Sequence, residues 1–333
     1  MRGVDLARLP FDFDLTFAAL LIHPDGHVYH RYGGRDERGA DTWLGMPSWE
    51  SLLERTLEEH GVYAASPDVD ASGSPGRTRL VLEELPSFAK RDKGGCIHCH
   101  SVFPALYEEA RAANTWSPEQ RWVYPSPGRI GLDLDRDDQT LVTSVADGSI
   151  AARNGVQSGD RLRRASDREL ATASDLSAVL HDHSAAGGTL QMQIERDGAG
   201  RDVSLELSPG WKTATPLEFS WRPFKWGFTP APGFGGPALP AAEKRVLGLA
   251  PDAFAFRVSY LVTWGDNSRY GERAQRAGLR KDDIFVSADG KRDFASADHF
   301  HSWWRLTRNV GQSVEIEILR NGTPMTMHLI VVP

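Results

Sequence analysis

Cysteine is nearly missing from this chain: Cys96 and Cys99 are its only two in 333 residues. That excludes a scaffold held together by several disulfides and confines any thiol chemistry to one place. No run of 18 apolar residues occurs, so no membrane-spanning helix is expected. The first residues, MRGVDLARLPFDFD, lack the apolar stretch and small-residue cleavage site of a signal peptide. No G-x-S-x-G, H-E-x-x-H or glycine-rich phosphate loop after a strand is present, which excludes a serine protease and the common zinc-hydrolase motif. The GFGG at 233–236 lies in a proline-rich stretch and reads as a turn. Excess positive charge is also lacking. A net charge of −7 excludes a general attraction to nucleic acid or an anionic membrane.

Apolar residues make up 40% and charged residues 25%, as in ordinary globular proteins, and the length allows two or three small domains. Residues 15–32 read as a β-hairpin in which two apolar strands flank the turn dipeptide Asp25-Gly26. Pro47 and Ser48 then open a helix, with Trp49, Leu52, Leu53 and Leu57 at helical spacing and Gly61 as its stop. One hairpin and one helix cannot bury a core alone. This segment therefore packs on the rest of the chain, or a companion piece precedes it. The order strand, turn, strand, helix resembles the C-terminal half of a thioredoxin fold. In that likeness the cis-proline position falls at Leu15, and the half bearing the redox dithiol lies before Met1. Residues 63–79, rich in Ser, Pro, Gly and Asp, read as a linker.

Two later stretches share one grammar, A-x-x-x-G-Ψ-x-x-[GD]-D-x-Ψ: Ala151 to Leu162 and Ala274 to Phe285. Each is followed by a turn, a helical run (175–180 and 297–306) and a hairpin. The first copy, from Ser149 to Leu162, resembles the PDZ domain of bacterial envelope proteins. Ile130, Gly131, Leu132, Asp133 and Leu134 then stand where such domains keep the loop that captures a peptide carboxylate, and a peptide or protein ligand would add a strand beside it. The second copy has Asp282 where the first has Gly159. Its loop candidate is Leu247-Gly248-Leu249.

The motif Cys96-Ile97-His98-Cys99-His100 has the C-x-x-C-H spacing of c-type haem attachment. Two thioethers would form from Cys96 and Cys99, and His100 would be the axial ligand of the haem iron. Between residues 101 and 191 there is no Met, so His60, His181 or His183 would supply the sixth position, or the iron would be five-coordinate. The same residues also suit a dithiol, since a CxxC at a helix N-terminus has a lowered thiol pKa, or half of a metal site.

Taken together, the pieces resemble a bacterial, planctomycete-type family of thioredoxin-like/PDZ (seleno)proteins with a CxxCH segment. The match rests on Met1 to Leu6, Phe11 to Thr16, Tyr32 to Arg35, Cys96 to His100 and Trp122 to Pro125. The resemblance implies that Met1 lies inside a thioredoxin-like domain whose first half, with a signal peptide, is missing. It also implies a periplasmic or cell-envelope location, or a cytoplasmic one if Met1 is the true start. The expected architecture is α+β and multidomain. It comprises a partial thioredoxin-like unit (1–62), a linker (63–90), a CxxCH segment (91–126), a PDZ-like domain (127–208), a Pro/Gly/aromatic connector (209–243) and a second PDZ-like domain (244–333). The expected role is peptide binding combined with electron transfer through haem c. The rivals are a thiol or selenol oxidoreductase whose catalytic residue precedes Met1, and a scaffold with a plain disulfide. No catalytic residue is assigned within this chain.

Overall fold

A computed structural model describes residues 1–36, 38–65, 79–89, 94–213 and 229–333. The chain divides into two compact units, Met1–Ala214 and Thr215–Pro333. Mixed helix and sheet in two units agrees with the expected α+β, multidomain class. Among the described residues no helix is long and apolar enough to cross a membrane.

The first unit begins with the expected hairpin, β1 (Ala18–Ile22) and β2 (Val28–Gly33), paired antiparallel. Its turn is longer than a two-residue type I′ turn. The Asp25 side chain accepts from the His27 amide at 2.9 Å, and the His23 amide bonds to the His27 carbonyl at 2.8 Å, closing a five-residue loop. Helix α1 (Met46–Ala65) runs through Gly61 instead of stopping there. Tertiary contact outweighs the propensity cost of glycine. Two residues beyond Gly61, Tyr63 stacks on His27 with centroids 4.3 Å apart and donates to Asp25 at 3.0 Å. The expected linker from 63 is therefore helix as far as Ala65, and 66–78 lie outside the described residues. Residues 79–89 are packed structure: Val81 and Leu82 are buried, Leu80 bonds to Leu6 and Asp5, and a short α2 (Pro86–Ala89) follows. The CxxCH motif leads into α3 (Val102–Ala112), which buries Val102, Phe103, Ala105 and Tyr107.

Next come β3 (Leu132–Leu134) paired with β4 (Val142–Val145), α4 (Ile150–Arg153), β5 (Arg161–Ala165), β6 (Arg168–Glu169), α5 (Ala173–Asp182), β7 (Gly188–Arg196) and β8 (Ala199–Leu207). The last four strands form a sheet in the order β6-β5-β7-β8. Along β7 alternate residues Leu190, Met192 and Ile194 point into the core, the period of two that a half-buried strand requires. Asp197-Gly198, both at positive φ, make the tight type I′ turn to β8. Trp211 joins this core, so the module extends past 208.

The second unit contains β9 (Phe234–Gly235), α6 (Ala241–Val246), β10 (Phe256–Arg257), β11 (Tyr260–Leu261), α7 (Ser268–Arg276), β12 (Ile284–Ala288), α8 (Ala297–Thr307), β13 (Ser313–Arg320) and β14 (Thr323–Ile330). Its main sheet is ordered β10-β12-β13-β14, and β9 pairs with β11. A cluster of Phe234, Phe256, Phe285 and Phe300 fills the core. Strand β9 falls inside the stretch assigned from sequence to a connector, so the module starts before 244.

The two modules repeat at the level of single hydrogen bonds. Asp160 accepts from Arg196 Nε at 2.6 Å, Arg196 Nη2 at 2.8 Å and the Gln157 amide at 2.8 Å. Asp283 accepts from Arg320 Nε and Nη2 and from the Arg280 amide, all at 2.8 Å. Each arginine also donates to the carbonyl of the glycine that ends the preceding helix, Gly155 or Gly278. The aspartate of the shared grammar is thus a clamp between the helix exit and the following hairpin. Asp282 adopts φ 71°, matching φ 91° at Gly159, so the aspartate-for-glycine difference leaves the backbone path unchanged.

Candidate peptide groove and CxxCH site

The loop before β3 is built from Pro127-Gly128-Arg129-Ile130, one short 3₁₀ turn, and Gly131 at φ 89°. A side chain at Gly131 would collide with Ser149, its Cβ only 2.1 Å from that of Ser149, so glycine is required twice over. Among the described residues strand β3 pairs only with β4, and its other edge carries no strand. Ile130, Leu132 and Leu134 are buried, and Asp133 between them points outward. Of the five residues expected at the peptide site, the structure places three in the core and leaves Gly131 and Asp133 on the accessible side. The amide of Gly131 donates to the Gly128 carbonyl at 3.0 Å.

Helix α5 forms the opposite wall, and the chain's own N-terminal layer covers it. Thr172, the N-cap of α5, donates from its hydroxyl to the Arg31 carbonyl at 2.5 Å, and Ser174 donates to the Gly33 carbonyl at 2.7 Å. Arg38 reaches across to Asp133 on β3 at 2.9 Å. Gln139 donates to the Trp43 carbonyl, and the Trp43 ring is buried in the module core beside Gly34 and Ser174. Residues 31–43 thereby touch both walls. A small cavity of about 40 Å³ lies along α5, between Trp43, Ser126, Ser177 and Gly34. The hairpin that lacked a core of its own finds it here.

A buried charge cluster fastens this layer. His30 is fully buried, its Nδ1 2.9 Å from Asp175 Oδ2 and its Nε2 2.8 Å from Glu59 Oε2. The other Asp175 oxygen accepts from the Arg31 amide at 2.9 Å. Burial alone pulls the imidazole pKa down, but the two carboxylates reverse this and raise it to about 9. Nothing in the residues around His30 singles it out in the sequence. The available signal was an inward strand position in β2.

The CxxCH turn sits on the N-terminal segment. Arg2 donates to the Gly95 carbonyl at 3.2 Å, and Phe13 packs edge-on against Phe103 at 5.4 Å. Ile97 is buried, Cys96 is exposed, Cys99 half-buried, and both thiols are free. His100 is exposed, its Nδ1 3.8 Å from an oxygen of the buried Asp14. Two accessible thiols and an imidazole whose Nδ1 faces a carboxylate form a donor set suited to haem attachment, with Nε2 left for a metal. The expected sixth ligands are engaged elsewhere. His60 Nδ1 is 2.9 Å from the Tyr29 hydroxyl, His181 stacks on Tyr124 at 4.1 Å, and His183 packs against Trp211. Among the described residues no three His, Cys, Asp or Glu side chains converge as a metal site.

In the second unit, the bond from the Val262 amide to the Gly233 carbonyl (2.8 Å) mirrors that from Ala146 to Gly131 (2.8 Å). Leu261 pairs with Phe234 as Val145 pairs with Leu132. The equivalent of Ile130-Gly131-Leu132 is therefore Pro232-Gly233-Phe234, corrected from Leu247-Gly248-Leu249. The latter follows α6, a segment inserted between the two paired strands. The discarded GFGG turn is the start of the module. The sequence concealed it because only a glycine and one apolar residue are shared, inside a run of Pro and Gly.

A comparison with curated proteins finds no match. Among solved structures, the HtrA3 PDZ domain bound to a phage-derived ligand (FGRWV) is 20% identical, with a TM-score of 0.21, over 26% of this chain and 93% of that one. The HtrA-type protease AlgW with a decapeptide is 19% identical, with a TM-score of 0.25, over 43% of this chain and 41% of that one. The chain thus spans about two fifths of that protease's length. The family model for the PDZ domain matches residues 128–207. Those residues of this chain are a PDZ domain.

Proposed function

We propose that this chain is a peptide-binding protein that recognises the C-termini or extended strands of other proteins. The carrying observation is the PDZ domain at 128–207 with a free strand edge at β3 beside a glycine loop. A ligand would pair with that edge, and its terminal carboxylate would lie at the turn through Gly131. Because residues 31–43 already bridge β3 and α5, the groove admits the last few residues of a ligand unless that layer lifts. The test is fluorescence anisotropy with a C-terminal peptide library against the full chain, each peptide in free-acid and amidated form. Preference for the free acid supports end recognition; equal binding of both forms supports strand addition; no binding by any peptide refutes the reading.

A second reading concerns Cys96, Cys99 and His100, and rests on the accessible thiols and the His100–Asp14 pair. Cys96, Cys99 and His100 would hold a c-type haem, which supplies one-electron transfer when bound, with the Asp14 carboxylate near the His100 ring. Covalent haem attachment places a protein outside the cytoplasm, so this reading carries a periplasmic or cell-envelope location with it. The test is a pyridine haemochrome spectrum after export in a host with cytochrome c maturation. A c-type band that resists acid–acetone extraction and vanishes in a Cys96→Ala/Cys99→Ala variant supports haem. A colourless protein refutes it and favours a dithiol. The thioredoxin-like kinship of 1–62 belongs with that dithiol alternative.

A further inference from the structure

Four consecutive residues of the N-terminal segment reach both the peptide groove and the CxxCH turn. Phe11 and Asp12 line the small cavity along α5, beside Gly33, Trp43 and Ser174. The next two serve the other site. Phe13 is buried with its ring 5.4 Å from Phe103 on α3, and the fully buried Asp14 has a carboxylate oxygen 3.8 Å from His100 Nδ1. The four form one folded piece: the Phe11 and Phe13 rings lie 4.5 Å apart, and the Asp14 amide donates to Asp12 Oδ1 at 3.0 Å. Close packing leaves such a piece few ways to yield at one end only.

Arg31 ties that piece to the groove. Its Nε donates to the Pro10 carbonyl at 2.8 Å, while its own amide and carbonyl are held by Asp175 and Thr172 of α5. Gly33 adds a second tie, because it pairs with Ala18 and lies so close to the Phe17 carbonyl that a Cβ would meet the oxygen at 2.3 Å. Residues 31–36 and 38–43 then continue between α5 and β3, where Arg38 lies over the Trp43 ring at 5.0 Å and pairs with Asp133 at 2.9 Å. At the far end the Met1 ammonium donates to the Ile97 carbonyl at 3.0 Å, so the CxxCH turn is fastened to the same segment.

We propose that occupation of the peptide groove controls the reactivity of Cys99. The element with two states is the N-terminal layer, seated on α5 and β3 in one and lifted in the other. A long peptide binds the lifted state, because residues 31–36 and 38–43 fill the room it needs. Lifting them pulls on Pro10 through Arg31, draws Phe13 off Phe103 and Asp14 off His100, and opens the half-buried Cys99, whereas Cys96 is exposed already. The inference rests on the peptide-binding reading and adds to it a consequence at a second site.

The test is pulsed alkylation of the full, reduced chain with iodoacetamide, in which each thiolate forms a sulfur–carbon bond and iodide leaves. Tandem mass spectrometry reads Cys96 and Cys99 separately, and the ratio of their rates is the observable. Arg38→Ala/Trp43→Ala removes side chains that sit at the groove end of the layer. It is expected to raise the Cys99 rate relative to Cys96 by about fivefold or more, the lower range of coupling between two sites. Arg38→Ala alone, at a half-exposed position, is expected to act in the same direction and serves if the double variant does not fold. Asp160→Ala, whose bonds are to Gln157 and Arg196, is the control for general loosening and should leave the ratio unchanged. An unchanged ratio in the layer variants, or an equal rise in the control, overturns the proposal. With wild type, a free-acid decapeptide library that binds by anisotropy should raise the ratio in step with the fraction bound. Binding with a flat ratio overturns the coupling and leaves the peptide-binding reading intact. Absence of binding ends that reading and, with it, the peptide as trigger.

Discussion

Raising the pH from 6 to 9 should loosen the N-terminal layer from α5, and His30 sets the size of the effect. Its imidazole is raised from 6.5 to about 9 by Asp175 and Glu59. Each tenfold gain in proton affinity corresponds to about 1.4 kcal/mol, so the protonated cluster stabilises the first unit by roughly 3 kcal/mol. The sign follows from linkage. A group whose folded pKa is raised stabilises fully below its unfolded value near 6.5, and that stability is lost as pH climbs through about 9. Glu59 is perturbed in the opposite direction. Burial raises it, but His30 and Arg55 hold it below the usual carboxylate value, so its share persists at neutral pH and fails only in acid. The assay is urea unfolding of wild type and His30→Gln at pH 6, 7.5 and 9, with hydrogen exchange at the Arg31 amide as a local probe. At pH 6 the variant should be less stable by about 3 kcal/mol, because glutamine leaves the buried Asp175 and the half-buried Glu59 without their cation. At pH 9 the difference should shrink to under about 1 kcal/mol, since His30 is by then about half deprotonated and little of the linked stabilisation remains. A gap that stays constant from pH 6 to 9 would refute the account of a charged, doubly paired His30.

Other outcomes follow from single contacts. Asp160→Ala and Asp283→Ala should each destabilise their own unit in urea unfolding, because the Gln157 or Arg280 amide loses its acceptor together with the arginine; an unchanged midpoint in either would mean the clamp is ornamental. Gly33→Ala should release the N-terminal hairpin, since its Cβ would meet the Phe17 carbonyl oxygen at 2.3 Å with φ at 118°; limited proteolysis would reveal this as faster cleavage before residue 46. Gly61→Ala should stabilise α1 by about 0.5–1 kcal/mol, because the site is helical and open; destabilisation would argue for a helix stop there. Trp43→Ala should vacate the space between β3 and α5 and raise the affinity of the PDZ domain for long peptides over short ones, read by anisotropy. An unchanged ratio would show that Trp43 does not limit the groove.

What the sequence made legible was local. The A-x-x-x-G-Ψ grammar was readable twice because helix exit, positive-φ residue and clamping aspartate lie within a dozen positions, and their chemistry permits few substitutes. The hairpins ending in Asp197-Gly198 and Asn321-Gly322 were readable for the same reason. The second module's loop was not. The insertion carrying α6 separates β9 from β10, and the stretch around Gly233 resembles any proline-rich connector. Nor was the covering of the groove legible. It depends on bonds between Arg31 and Thr172, 141 positions apart, and on a histidine whose significance appears only when Asp175 and Glu59 arrive beside it. These unseen parts decide the functional difference between the modules. The same helix face is sealed under the N-terminal layer in the first, where Ser177 is small enough to be packed over. In the second, His301 and Arg305 line an open cavity. A duplicated fold thus leaves the first groove covered by the chain's own residues and keeps a cavity along the corresponding helix of the second.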